Sequence, residues 1–276
     1  MFIIFEVVKC EKLRRSCCIN TGGPKMESYK SFASVYDLFM DNIDYRAWSN
    51  YIVELLGRYG ISEGLLLELG CGTGTITELL ADRGYDMIGI DNSAEMLDVA
   101  MNKRAESGQD ILYLWQDMRE FELYGTVRGI VSVCDSVNYI LEAEELLEVF
   151  RLANNYLDPG GLFIFDLNTL YKYEEVLGET VFAENREEGS FIWSNFYDQQ
   201  EQLNEYDLTL FIPNNDKGMY QKYEETHYQR GYDVEVIKEL LVKAGLEFKA
   251  VYDAFTFSEP RVDSERIYIV AQECQK

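Results

Sequence analysis

Glycines 70, 72 and 74 alternate in LELGCGTGT (67–75), between a short apolar run and a stretch of helical pattern. This spacing permits a tight strand-to-helix turn with close backbone approach to a ligand, and the helix amides that follow point back toward it. Two nucleotide-type ligands compete for such a loop. The dinucleotide pattern GxGxxG needs a third glycine where this chain has Thr75, and the Glu68 carboxylate disfavours a pyrophosphate while suiting a cationic ammonium or sulfonium. Other candidate groups follow later apolar runs: Asp91 in IGIDNS, Asp117 and Met118 in WQDMREF, and Cys134, Asp135, Asn138 and Tyr139 in VSVCDSVNYI. An ionised carboxylate such as Asp91 suits a diol because it accepts two hydrogen bonds, although Asp91 could also cap a helix starting near Ser93. His227, the only histidine, stands in EETHYQRGY (224–232) and is a candidate general base for an acceptor that loses a proton. A lone histidine is also commonly a structural hydrogen-bonding residue. Cys71, Cys134 and Cys274 show no metal-ligand spacing, so no metal is expected.

The elements that must position these groups are legible from periodicity. Apolar runs at 65–69, 85–90, 111–115, 129–134 and 162–167 alternate with helical patterns at 75–83, 94–107 and 142–156. Strand-helix repetition with strands apolar throughout predicts a doubly wound α/β sheet covered on both faces. Two further helices, 28–40 and 44–59, precede it as a cap. After about residue 170 the alternation stops, and SFIWSNFYD, EYDLTLFI and YQKYEETHY read as antiparallel strands separated by turn clusters such as 213–218. At most half of Trp193, Phe196 and Tyr197 can face one side of such a strand. A last helix over 233–244, with Gly245 placed to cap it, and strands near 247–252 and 266–272 return to the sheet. The expected organisation is a core of residues 26–169 and 231–276 with an insert, 170–230, at the carboxyl ends of the strands, where doubly wound sheets bind ligands.

Composition narrows the function. The 276 residues carry a net charge of −24, which repels phosphate backbones and argues against a nucleic-acid partner. No apolar run approaches the ~20 residues needed to span a bilayer, and no membrane partner is expected. The first 25 residues differ from the rest, with five basic residues, two acidic ones and three of the six cysteines. Their short apolar stretch precedes the basic residues, the reverse of a secretory signal. The segment reads as a non-native or disordered extension ahead of Met26, and the remaining cysteine usage suits a reduced, cytoplasmic compartment.

At ELGCGTG (68–74) the chain resembles the class I S-adenosylmethionine-dependent methyltransferases, whose first motif is (D/E)xGxGxG at the end of the first strand. The resemblance runs over nearly the whole body and implies a seven-stranded Rossmann-like sheet with S-adenosylmethionine as cofactor. It further implies that Glu68, Gly70, Cys71, Gly72 and Gly74 form the cofactor loop and that Asp91, with Asn92 beside it, accepts the ribose hydroxyls. Asp117 and Met118 would contact the adenine, with Met96 on its other side. Cys134, Asp135, Asn138 and Tyr139 would line the methionine end and the methyl-transfer face. The segment NNYLDPGGLFIFDLN (154–168) resembles the family's LxPGGxxxxD stretch and is read as structural. The cap is similar to that of the small-molecule branch, where Tyr29 and Tyr36 would close over the ligands with Phe32 and Trp48. His227, Arg230 and Tyr232 resemble a His-x-x-Arg-x-Tyr stretch of that branch. The expected function is methyl transfer to a small-molecule acceptor by in-line displacement, with His227, Asp135 and Tyr139 as candidate catalytic residues. A non-catalytic S-adenosylmethionine-binding protein and an NAD-dependent oxidoreductase are the alternatives.

Overall fold

The computed structural model describes residues 7–8, 33–214, 218–274 and 276. The apolar runs form a seven-stranded sheet. Its strands are β2 (Leu65–Leu69), β3 (Asp86–Asp91), β4 (Ile111–Trp115), β5 (Val127–Ser132), β6 (Leu157–Asn168), β11 (Leu246–Asp253) and β12 (Arg266–Glu273), in the order β11-β12-β6-β5-β2-β3-β4. β2 to β6 pair in parallel, and β12 enters antiparallel between β6 and β11. The chain order therefore reverses between β2 and β5, which places a crevice above the carboxyl ends of those two strands.

Helices cover both faces. α2 (Tyr45–Arg58), α3 (Thr75–Ala81) and α4 (Ala94–Ser107) lie on one side, where Ile52, Leu55, Leu56, Ile76, Leu80 and Leu97 are buried against the sheet. On the other side α5 (Ala143–Tyr156) and α6 (Val234–Lys243) bury Leu146, Val149, Phe150, Ile237 and Leu241. Gly245 follows α6 with φ of 84°, as the sequence predicts, while Asp44 and Asp233, read as the first residues of their helices, stand one position earlier as the N-caps of α2 and α6. Two expectations are corrected. The helix beginning near Ser93 is capped by Ser93, whose Oγ accepts from Met96 N, and not by Asp91. The apolar run at 162–167 is only the second part of β6, which begins at Leu157 and bulges at 158–161, between the Val127–Leu157 and Gly129–Leu162 pairs. Of the cap, the described part is α1 (Ala33–Phe39) together with α2.

Between β6 and α6 the chain leaves the sheet. A π-helical turn, Lys172–Leu177, leads into β7 (Val181–Asn185), β8 (Ser190–Asp198), β9 (Leu203–Asn214) and β10 (Met219–Arg230), an antiparallel sheet whose far edge carries β1 (Val7–Val8) beside β7. Its faces alternate: Phe191 and Asn195 are buried, whereas Ile192 and Phe196 point outward. The buried face closes on the cap, where Val35 and Phe39 of α1 pack with Phe191, Leu208 and Leu210. Among the described residues no helix is long and apolar enough to cross a membrane.

Candidate active site

The glycine loop joins β2 to α3 and its backbone is left-handed at Gly70, Gly72 and Gly74. At Gly74 a Cβ would collide with the Tyr113 hydroxyl, and at Gly70 it would lie 2.8 Å from Ser136. At Gly72 it would meet nothing within 4 Å. Gly72 thus presents bare backbone to open space, as close approach by a ligand requires. Its N–H donates to Asp91 Oδ2 at 2.8 Å, while Ser93 N donates to Asp91 Oδ1 at 2.8 Å. Each oxygen accepts one of these N–H groups and keeps a further lone pair, so the half-buried carboxylate is oriented yet retains capacity for a diol. Exposed Asn92 follows it, and its carbonyl accepts from Trp115 Nε1.

Glu68 stands beneath the loop and not in the crevice. It is 3% exposed, accepts from Thr77 Oγ1 at 2.5 Å, and burial pushes its pKa up to about 8. Cys71 is buried in the core with its thiol raised by the same burial. Met96 is buried on α4, and Met118 reaches the loop, its Cε 3.3 Å from where a Gly70 Cβ would stand. Asp117 follows β4 and is held by Arg119, which donates from Nε to Oδ1 at 2.9 Å and from Nη2 to Oδ2 at 2.6 Å, and reaches Glu145 at 3.2 Å. Arg119 stands two residues from Asp117, and only its proximity in sequence could have pointed to it.

After β5 the backbone adopts an uncommon shape. Cys134 and Asp135 are successive non-glycine residues with φ of 60° and 55°, a strained pair whose N–H groups converge on the buried Asp166 carboxylate at 3.2 and 2.8 Å. Arg266, from the start of β12, bridges Asp166 Oδ2 at 2.5 Å and Asp135 Oδ1 at 2.6 Å and lies 5.0 Å from the Trp48 ring. Gln229 Nε2 donates to Asp135 Oδ2 at 2.6 Å, and Tyr173 donates to Gln229. Asp135 is therefore a clamped carboxylate. Asn138 is wholly buried with its amide spent on backbone: it accepts from Asn168 N and donates to Asn168 O and Arg230 O. Lys172, on the insert's first turn, donates to Asn168 Oδ1 at 2.9 Å, and burial lowers its pKa to about 8. Arg266 and Gln229 escaped the sequence reading because the carboxylates they bind lie 94 to 131 residues away, while Asp166 falls at the end of the stretch read only as structural.

The insert supplies the opposite wall. His227 and Tyr206 are direct cross-strand partners whose rings stack at 4.9 Å, and Trp193 packs at 4.9 Å on Tyr206. Tyr139, from the 3₁₀ turn after β5, hydrogen-bonds the Tyr206 hydroxyl and lies 3.3 Å from His227 Nδ1. His227 Nε2 is 3.2 Å from Glu225. Arg230 and Tyr232 act structurally here, donating to the carbonyls of Glu201 and Ile140. Tyr36 is half-buried on α1, beside Asp37, whose carboxylate accepts from Thr73 of the glycine loop. Tyr29 and Phe32 lie outside the described residues. The fold thus gathers Gly72, Asp91 and Met118 at one end of the crevice and Asp135, Tyr139 and His227 at the other. The open Gly72 backbone and the lone pairs left on Asp91 fit an adenosyl ligand.

Comparison with known proteins identifies the family. A family model described as a methyltransferase domain matches residues 66–161. The Bacillus subtilis (strain 168) protein YqeM, named as a methyltransferase, is 37% identical over 245 residues, covering 88% of this chain and 96% of its own. The crystal structure of an S-adenosylmethionine-dependent methyltransferase from Clostridium acetobutylicum ATCC 824 superposes with a TM-score of 0.80 at 29% identity, over 90% of this chain and 99% of that one. A dTDP-3-amino-3,4,6-trideoxy-alpha-D-glucopyranose N,N-dimethyltransferase of Streptomyces venezuelae is 32% identical over 136 residues, 49% of this chain and 56% of its own. The chain belongs to the class I S-adenosylmethionine-dependent methyltransferases, with S-adenosylmethionine as its cofactor.

Proposed function

We propose that the acceptor is a small molecule, methylated in the space between the carboxyl ends of β5 and β6 and the inner face of the insert sheet. The observation that carries this reading is the meeting of Tyr139, from the core, with Tyr206 and His227, from the insert. Aromatic groups contributed by two separate units at the carboxyl end of β5 suit a small acceptor held between the core and the insert. The net charge of −24 disfavours a nucleic acid in the same place. The Streptomyces venezuelae relative, whose name describes an amino-sugar nucleotide as substrate, supports a small polar acceptor.

S-Adenosylmethionine supplies a methyl group activated by a sulfonium. The protein's share is binding and placement. Asp91 and the Gly72 backbone would hold the ribose end, Met118 and Asp117 the adenine. The Arg266 clamp fixes the strained Cys134–Asp135 turn, so that the groups lining the transfer face have one arrangement before ligands arrive. Fixed placement of donor and acceptor, with water displaced, lowers the barrier of a displacement reaction without further chemistry by the protein.

The test is S-adenosylhomocysteine release on incubation with fractionated cell extract. Activity confined to the fraction below about 1 kDa is expected. Activity that follows RNA or protein overturns the assignment of a small acceptor, and no release from any fraction favours a non-catalytic binding protein.

A further inference from the structure

Lys172 opens the π-helical turn at the root of the insert, four residues after Asn168 ends β6, and such turns recur at functional sites. Its backbone is fixed: Lys172 N donates to Thr169 Oγ1 at 3.1 Å, and Thr169 in turn donates to the Ser264 carbonyl. Its ammonium donates to the neutral Asn168 Oδ1 at 2.9 Å, and among the described residues no carboxylate stands within ion-pair distance of it. Two of its three hydrogens remain to be given. The carboxylates that attract it, Asp135, Glu265 and Asp166, act from further away. Arg266 engages both Asp135 and Asp166, and Gln229 donates to the second oxygen of Asp135. The chain has 49 acidic residues against 25 basic ones, so no shortage of carboxylates explains a half-buried lysine left without a counter-ion. Holding the charge there is costly, and burial lowers its pKa to about 8.

The neighbours of Lys172 define its place. Asn168, which holds it, is tied to Asn138 in the turn after β5. Tyr173, next in sequence, donates at 3.0 Å to Gln229 of β10, which donates at 2.6 Å to Asp135. Lys172 therefore stands where the carboxyl ends of β5 and β6 meet the base of the insert sheet, beside the space assigned to the acceptor. Resting on the small-molecule reading above, we propose that Lys172 receives an oxyanion of the acceptor, so that the substrate class is a small molecule carrying a carboxylate or a phosphate besides the atom that is methylated. The anion supplies the missing counter-ion and accepts the two remaining hydrogens. Arg266 is already bridged to two carboxylates and cannot take this part. A charge-assisted hydrogen bond away from the reacting atom anchors one end of the acceptor and so limits the orientations of the other. The acidic surface of the protein does not oppose this contact at short range, because salt screens its more distant charges.

The test needs no acceptor. The full chain, saturated with S-adenosylhomocysteine, is heated in sodium phosphate or sodium acetate against sodium chloride of equal ionic strength. Phosphate or acetate is expected to raise the unfolding midpoint above the chloride value, and the larger shift tells a phosphate-bearing acceptor from a carboxylate. Lys172→Met should remove most of that excess while keeping the wild-type affinity for S-adenosylhomocysteine. Lys172→Gln, which keeps an amide donor near Asn168 but no charge, should remove it too, and it carries the test if the methionine variant does not fold. No excess in the wild type, or an equal excess in the variants, overturns the proposal. With an acceptor in hand, Lys172→Met raises KM by about 10-fold or more at nearly constant kcat. A fall in kcat at constant KM overturns the proposal as well, since it gives Lys172 a part in the transfer itself. If no extract fraction releases S-adenosylhomocysteine, the proposed function fails while the anion-dependent shift still reports on Lys172.

Discussion

Asp37 Oδ2 lies 2.5 Å from Lys103 Nζ, and Asp37 Oδ1 accepts from Thr73 Oγ1 at 2.7 Å, so one carboxylate fastens the cap helix to both α4 and the glycine loop. Lys103 also donates to Thr75 at 2.8 Å. The other end of the cap is tied to the insert: Arg186 donates to the Leu38 carbonyl at 2.6 Å and pairs with Asp41 at 2.8 Å. α1 is thus a strap across the crevice.

Removing the first tie should loosen the strap more than it destabilises the protein. The ion pair is partly exposed, so Lys103→Met is expected to cost only about 0.2–1 kcal/mol in urea unfolding. Amide exchange over Ala33–Phe39 should nevertheless speed up several-fold. Equal protection in both proteins would show that packing of Phe39 alone holds the helix.

Asp91→Ala should weaken S-adenosylhomocysteine binding by about 1–3 kcal/mol, the scale of hydrogen bonds to a charged group, measured by calorimetry. The tether to Gly72 N is lost together with the proposed ribose contact. Unchanged affinity would remove Asp91 from the cofactor site.

Two glycines of one loop should respond differently to alanine. Gly72→Ala adds a methyl to open space, so beyond a backbone strain of about 1–2 kcal/mol its chief effect is loss of cofactor affinity. Gly74→Ala drives a methyl into Tyr113 and should unfold at clearly lower urea than Gly72→Ala. The reverse order of stability would show that the loop relaxes around Tyr113.

Glu68 makes stability depend on pH. Its carboxyl is raised to about 8 in the folded protein, against an ordinary value near 4.5, so between those values the folded state binds the extra proton. This contribution to stability is fully present below pH ~4.5 and is lost as pH rises through 8, with a slope of at most about 1.4 kcal/mol per pH unit. Urea unfolding at pH 6 and 8 should therefore show a smaller fall for Glu68→Gln than for the wild type. Equal falls would place the titration elsewhere.

Arg266→Met should be the most damaging change in the site. It leaves Asp166 buried without its cation and frees Asp135, a cost of about 3–5 kcal/mol for a broken buried pair. Thermal unfolding measures it, and a loss under 1 kcal/mol would mean that the Cys134 and Asp135 N–H groups alone satisfy Asp166.

The glycine loop, Asp91 and the alternation of apolar runs with helical patterns are local features, each fixed by a few neighbouring residues. They were legible in the sequence, down to the bounds of β2, β4 and α4 and the glycine that ends α6. Three of the insert's strands, β8, β9 and β10, were legible for the same reason, since alternation is written into their sequences, whereas the short β7 was not. The sequence could not show that Glu68 turns under the loop, that Asn138 spends its amide on Asn168 and Arg230, or that Asp135 is clamped by an arginine 131 residues away. Nor could it show that Glu225, His227, Tyr206 and Tyr139 share one hydrogen-bonded line. Composition and periodicity decide which face of an element is buried, but which polar groups meet on that face depends on the register of β12 against β6 and of β9 against β10, and on where the insert folds back over β5. Those relations bring together residues far apart in the chain, and only the tertiary structure decides them.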